Sequence, residues 1–218
     1  MHQGYGIVLA WPETKCKQAG AWYDSLMTLF CLNKNGYYKV GHAALILLDK
    51  ETNSCKYFDF GRYHTPPGYG RVRSVVTDYE LEIKTKAYFE NGELQNLHTI
   101  LNELQKNKST HGTGYLKASL LEINTTTAEK HIQELQQKDS IPYGPFVSKG
   151  TNCSRFVCSA LLKGSPRWYS AISLLLPITI TPSPLWNLFA TYNPIIKLKT
   201  DEELEQNSFR SHTAKKHK

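Results

Sequence analysis

The sequence predicts an α+β chain in which an antiparallel sheet packs on helices. Three observations predict it. Apolar runs of strand length cluster early and are joined by short turn-like segments. Stretches with apolar residues at helical spacing dominate later. The two kinds do not alternate regularly, as a doubly wound parallel sheet would require. The 218 residues, 40% apolar and 11% aromatic, are enough for one core. We place a single domain at residues 1–200 and a charged, disordered tail at 201–218. Five cysteines, an odd number in a chain this long, do not make a disulfide framework.

Taken in order, Tyr5 to Ala10 is an apolar strand stopped by Pro12. Gly20 to Leu32 carries Trp22, Leu26, Leu29 and Phe30 near one helical face. Lys39 to Leu48 is dense in apolar residues, and Cys55 to Phe60 alternates. The two form a β-hairpin around the turn-like Asp49–Ser54. Gly61 to Gly70 is a Gly/Pro-rich loop, and Val72–Val76 and Leu81–Ala87 alternate as strands do. Gly92 to Lys106 is an amphipathic helix with Leu94, Leu97, Ile100, Leu101 and Leu104 at spacings of three and four. Tyr115 to Ile123 is a further strand. Thr126 and Glu129 open a helix to Lys138 as a capping box. A loop from Ile141 to Asn152 leads into a helix at Cys153–Lys163, closed by Gly164 where left-handed caps occur. Trp168 to Phe189 is too short in its apolar core to span a bilayer and is interrupted by Pro177, Pro182 and Pro184. It reads as buried strand and turn, with an interfacial anchor as the alternative.

The net charge of +7 is unevenly placed: the three lysines of His212–Lys218 account for +3 and leave +4. The remaining basic cluster is Gly61–Arg73, with Arg62, Arg71 and Arg73 among tyrosines. It reads as a solvated loop, so no nucleic-acid partner is expected. The N-terminus lacks the basic and apolar regions of a signal peptide, which predicts a cytoplasmic chain with reduced cysteines. Metal-ligand spacing, a phosphate-binding loop, a dinucleotide fingerprint and a GxSxG motif are missing, and neither metal nor cofactor is expected.

Cys153 stands out among the cysteines. Asn152 is a good N-cap, so Cys153 falls at the first helical position, where unpaired N–H groups and the dipole favour a thiolate. Arg155 adds positive charge, whereas Cys158 lies on the helix body as a packing residue, and Cys16, Cys31 and Cys55 are packing residues as well. A first-turn cysteine is also compatible with plain packing. His42 heads the strand Gly41-His42-Ala43-Ala44-Leu45-Ile46, flanked by small residues, and can face an adjoining helix end. A histidine in such a place is otherwise satisfied by a backbone group. A hairpin centred at Lys50–Glu51 sets Asp59 opposite His42, and a small change of register sets it diagonal. Asp59 can orient the imidazole, or face the open sheet side, or pair with Arg62. Tyr143, ten residues before Cys153, lines a pocket, donates to an oxyanion, or packs.

Together, Gly41-His42 with its small and apolar followers, a polar residue on the next strand, and the later Asn152-Cys153-Ser154-x-Phe156-Val157 resemble the circularly permuted papain-like group. This group includes permuted NlpC/P60-type hydrolases and lecithin:retinol acyltransferase-like proteins. The resemblance spans Val40 to Leu162 and implies a Cys–His–polar triad working through an acyl-enzyme. Cys153 matches the nucleophile, His42 the base and Asp59 the third member. Tyr143, Asn152 and Arg62 are the candidate substrate-binding residues. No wall-binding module accompanies them. Met1–Lys39 and Trp168–Thr200 lack a counterpart and could cover one side of a cleft or form a partner surface. The expected activity is a cysteine hydrolase of the amidase or peptidase kind, acting on an amide, ester or thioester of a peptide or small acyl compound. The alternatives are a non-catalytic binding protein contacting its partner through Gly61–Arg73, and a lipid acyltransferase or lipase at a membrane surface.

Overall fold

The computed structural model describes residues 4–18 and 33–198. Its strands are β1 (Gly4–Trp11), β2 (Cys16–Lys17), β3 (Asn33–Lys34), β4 (Tyr37–Tyr38), β5 (His42–Asp49), β6 (Cys55–Gly61), β7 (Tyr69–Arg73), β8 (Phe89–Glu90), β9 (Glu93–Leu94), β10 (Leu116–Ile123), β11 (Ile141–Pro142) and β12 (Ile196–Leu198). The helices are α1 (Leu97–Lys106), α2 (Thr125–Gln136), α3 (Cys153–Lys163), α4 (Trp168–Leu175) and α5 (Pro184–Phe189). Seven strands make one antiparallel sheet in the order β11-β7-β6-β5-β1-β10-β12. A small sheet, β2-β4-β3, and the β8–β9 hairpin stand apart from it.

β1 and β5 lie at the centre and are covered on both faces, which explains their unbroken apolar sequences. On one face Ala43, Leu45, Leu47, Phe58 and Phe60 pack with residues of α2, α3, α4 and α5. On the other, Ala44, Ile46, Leu48 and Tyr57 pack with Ile100, Leu101 and Leu104 of α1. Among the described residues, no helix is long and apolar enough to cross a membrane.

Several elements differ from expectation for local reasons. The β5–β6 hairpin pairs Ala44 with Asp59, two residues from the expected register. The Asp49 carboxylate accepts from the N–H groups of Glu51 and Thr52, both at 2.8 Å, and pulls the turn toward the second strand. A two-residue shift leaves every side chain on its predicted face. β7 ends at Arg73, and Val75 and Val76 enter a turn in which the Ser74 carbonyl accepts from Thr77 and Asp78. Leu81–Ala87 is irregular. Its N–H groups turn to other acceptors, Lys84 and Thr85 donating to the Glu103 carboxylate and Ala87 to the Asn53 carbonyl.

The expected Gly92–Lys106 helix begins only at Leu97. Asn91 and Gly92, both at positive φ, close the β8–β9 hairpin first, a task suited to an Asn-Gly pair. Asn124, not Thr126, caps α2, its side chain accepting from the N–H of Thr127 at 3.0 Å. Gly164 ends α3 at φ −71°, and Ser165 takes the left-handed conformation instead. Trp168–Phe189 forms two short helices rather than strands, with Trp186 donating to the Ser173 carbonyl between them. The expected helix at Gly20–Leu32 and the tail at 201–218 lie outside the described residues.

Candidate functional site

The site is built where two strand ladders part. β5 pairs with β6 only as far as Ala44↔Asp59, whereas its pairing with β1 continues to Trp11↔His42. From Asp59 onward β6 pairs instead with β7, through Asp59↔Arg73, Phe60↔Val72 and Gly61↔Arg71. Beyond the split, Gly41, His42, Phe60 and Gly61 line a cleft together with Cys153. Gly41 makes the entry into β5 at φ +76°, and a Cβ there would meet the Trp11 carbonyl oxygen at 3.0 Å.

Cys153 is the first residue of α3. The Asn152 side chain caps the helix by accepting from the N–H of Arg155 at 2.8 Å. This leaves the N–H groups of the first turn, Cys153 among them, pointing out of the helix without intrahelical acceptors. The Asn187 side chain donates to the Ser154 carbonyl at 2.9 Å and fixes α5 against this turn.

His42 and Cys153 are both buried and line the same cleft, close enough for each to shift the titration of the other. Burial by itself opposes charge on the ring. The Asp59 carboxylate, its Oδ2 3.4 Å from Nε2, and the neighbouring Cys153 sulfur outweigh burial and raise His42 to about 9. Burial likewise opposes a Cys153 thiolate. His42, the N–H of Ala43 and the Ser154 hydroxyl outweigh it and bring the thiol below its ordinary 9.0. The two directions agree: the pair is stabilised as thiolate and imidazolium. The imidazole also stacks on Trp11, centroids 5.8 Å apart.

Asp59 is fully buried behind His42, its Oδ2 3.4 Å from Nε2. The expected alternative, a pair with Arg62, does not form. Arg73 holds the carboxylate instead, with Nε at 3.0 Å from Oδ1 and Nη2 at 2.6 Å from Oδ2, while the Tyr57 hydroxyl donates to Oδ2 at 3.0 Å. Burial raises the Asp59 carboxyl, and His42 and Arg73 together more than reverse this, so it titrates below its ordinary value. Arg73 is itself buried, lies 3.5 Å over the Tyr63 ring and donates to the Ser109 carbonyl. Arg73 is therefore internal and Arg71, paired with Asp78, is half-buried, so the arginines of the Gly61–Arg73 segment are not the freely solvated set expected, although His64, Pro66, Pro67 and Tyr69 are exposed.

Tyr143, Asn152 and Arg62 all reach the cleft. The Tyr143 ring stacks on Phe60 at 5.9 Å, and burial pushes its hydroxyl well above 10, so it remains a donor. Arg62 lies over the Tyr143 ring and donates to the carbonyls of Lys17 and Gln18. Cys16 is a correction. Expected to pack, it lines the cleft, 3.7 Å from the Tyr143 hydroxyl and 3.5 Å from Nη2 of Arg62. Arg73 was legible in part, since the alternation of Tyr69–Arg73 puts Arg71 and Arg73 on one face of a strand. Nothing local to Cys16 signals its place. Among the described residues, no cluster of His, Cys, Asp or Glu could hold a metal ion.

No curated protein matches the chain. The crystal structure of the type VI secretion system effector TseH is similar in fold. Its TM-score is 0.59 at 19% sequence identity, over 91% of this chain and 93% of that one. The family model described as type VI secretion system effector TseH-like matches residues 6–169, a span that holds His42, Asp59, Tyr143 and Cys153, and the chain belongs to that family.

Proposed function

We propose that the chain is a cysteine hydrolase of the circularly permuted papain-like kind, acting as an effector like the TseH protein it resembles. The observation that carries this is the placement of buried Cys153, at the start of α3, in one cleft with His42, whose Nε2 lies 3.4 Å from the buried Asp59 carboxylate. The sheet-and-helix arrangement, with the histidine strand preceding the cysteine helix, supports the permuted papain-like reading.

In this reading the Cys153 thiolate attacks the carbonyl carbon of an amide, ester or thioester. The new S–C bond forms as the carbonyl π electrons move to oxygen. N–H groups at the start of α3, that of Cys153 included, face this oxyanion. Donors of this type are worth about 10²–10³ in rate each. When the tetrahedral intermediate collapses, the bond to the leaving group breaks and the His42 imidazolium gives that group its proton. Water then attacks the acyl carbon as His42 takes its proton, and collapse of the second intermediate breaks the S–C bond, releasing the acid and restoring the Cys153 thiolate beside the imidazolium. Nε2 of His42 faces Asp59, leaving Nδ1 for the thiol. Asp59 orients the ring and stabilises its cationic form. Arg73 and Tyr57 act through Asp59 as positioning residues. By accepting three hydrogen bonds from them, Asp59 stays ionised in a site closed to water.

The test is alkylation and hydrolysis with wild type and Cys153→Ala. Cys153 should alkylate faster than a free thiol at neutral pH, and the substitution should abolish turnover. Alkylation no faster than that of a free thiol would end the proposal. The rival reading, action at a lipid surface, is favoured by the exposed Ile172, Leu175, Leu176, Ile178 and Ile180. Co-flotation with phospholipid vesicles separates it from a reading confined to soluble peptides and acyl compounds.

A further inference from the structure

Cys153 sits on the seam between two hollows of about 630 Å³ each, and their walls differ in chemistry. Both include Cys16, Lys17, Gly41, Tyr143 and Cys153. The first continues past His42 to Lys15, Arg62, Tyr63 and His111. The second continues past Asn152 to Tyr38, Val40, Phe146, Ile178 and Ile180, with Lys39 at its edge.

The first arm is electropositive among the described residues. No aspartate or glutamate among the described residues lines it. Among the described residues no carboxylate lies within ion-pair distance of Lys15, Lys17 or Arg62, although five other lysine and arginine side chains find carboxylate partners. Arg62 is held in place by the carbonyls of Lys17 and Gln18, and its guanidinium faces the same hollow as the two lysines. Asp59 cannot neutralise them, because it is fully buried and bound by Arg73. His111 is pushed down by burial and by Arg73, so the fixed charge of the arm is that of Lys15, Lys17 and Arg62.

The second arm is apolar to an extent that exposure makes costly. Ile178 and Ile180 leave 85% and 91% of their surface open, an unusual disposition for isoleucine beside a cleft. Groups that remain apolar in water at the mouth of a hollow gain by covering one another when a ligand enters.

From these two arms we infer the substrate class. It is a peptide-like acyl compound with a carboxylate on one side of the scissile carbonyl and a bulky apolar group on the other. The carboxylate is bound by Lys15, Lys17 and Arg62, and the apolar group lies against Phe146, Val40 and Ile180. This rests on the cysteine hydrolase reading, because it is Cys153 that divides the two arms.

The test uses end-blocked dipeptides that pair Phe or Ala with Glu or Gln, in both orders. Hydrolysis is followed by mass spectrometry, and binding to Cys153→Ala by calorimetry. In one order, the Phe/Glu peptide should be preferred roughly tenfold over its Gln and its Ala counterparts, as the two lysines and one methylene-rich pocket allow. The preference for Glu should shrink as salt is raised. Lys15→Glu with Lys17→Glu, both exposed side chains, should abolish the preference for Glu and spare that for Phe. Ile180→Asn should do the reverse. Gln peptides cleaved and bound as well as Glu peptides, or both preferences lost together in the lysine variant, would overturn the assignment. Selective binding without hydrolysis by wild type would sink the hydrolase reading and leave a binding cleft of this specificity. Neither hydrolysis nor selective binding would sink both.

Discussion

Cys153 and Cys158 lie five residues apart on α3, both are buried, and their thiols are displaced in opposite directions. Cys158 is pushed up to about 11 by burial, with its S–H donating to the Leu174 carbonyl at 3.2 Å. Cys153 is brought down because His42 and the N–H of Ala43 face its sulfur. Burial is common to both and favours the neutral thiol in both. What separates them is a partner that another part of the chain supplies, together with the free N–H groups of the first turn. A helix position prepares a cysteine for reaction, and the strand that ends beside it decides whether the thiolate forms.

The largest effect should come from removing that partner. His42→Ala should lower hydrolysis by about 10³–10⁶-fold, since nucleophile and base act as a unit. It should also bring alkylation of Cys153 toward that of an ordinary buried thiol. A variant that keeps fast Cys153 alkylation would show that the helix start alone activates it.

Asp59→Asn should come next. The isosteric change removes the charge that orients His42 and leaves the Arg73 guanidinium buried without its counter-ion. Breaking such a pair costs about 3–5 kcal/mol, readable as a lowered midpoint in urea. Hydrolysis should fall by up to about 10⁴-fold. Arg73→Lys, which keeps the charge but not the two-pronged contact, should lie between this variant and wild type in both measurements.

The comparison can be sharpened by pH. The imidazolium of His42 is favoured by folding, so its contribution to stability is full below about 6.5 and is lost as pH rises through about 9. Cys153 has the opposite sign: its contribution is present above 9.0 and is lost as pH falls through its lowered folded value. Hydrolysis should therefore decline above about 9, where the leaving group no longer finds a proton on His42. Alkylation of Cys153 should persist below pH 9, where Cys158 does not react. Peptide mapping of alkylated cysteines across pH 6–10 checks both limbs. Equal labelling of the two cysteines in the folded protein would contradict the pair.

Smaller effects are expected at the frame around the thiol. Asn152→Ala removes the cap of α3 and should cost about 1 kcal/mol of stability, with a loss of activity well short of that in His42→Ala. Cys158→Ala should leave hydrolysis unchanged and cost only the packing of one sulfur, measured by thermal unfolding.

Much of this site is legible in the chain itself. The Asn152-Cys153 step marks a helix start because an asparagine side chain satisfies an N–H that the helix leaves open. Gly41-His42 marks a strand start by its small neighbours, and the parity of the β5–β6 hairpin places Asp59 near His42 even when the register is off by two. These are effects of neighbours in sequence or of a single hairpin, so spacing reveals them. The local misreadings have the same origin. Thr126 yields to Asn124, and Gly92 closes a hairpin, because competing caps and turns differ by little in energy and packing selects among them.

What the sequence by itself determined is the inventory: dense apolar runs of strand length, a cysteine at a helix start, a histidine at a strand start and an acid on the strand paired with it. What only the tertiary structure decided is the company these groups keep. Arg73 reaches Asp59 across β6–β7, Cys16 meets Tyr143 at a sequence separation of 127, and residues 178–180 arrive beside Val40 and Phe146. Each of these contacts joins segments whose local pattern is indifferent to the other, so the closure of the sheet and the packing of α3 to α5 against it bring them together. The lowered titration of Cys153 follows from that closure, because burial alone favours the neutral thiol and His42 on a distant strand opposes it.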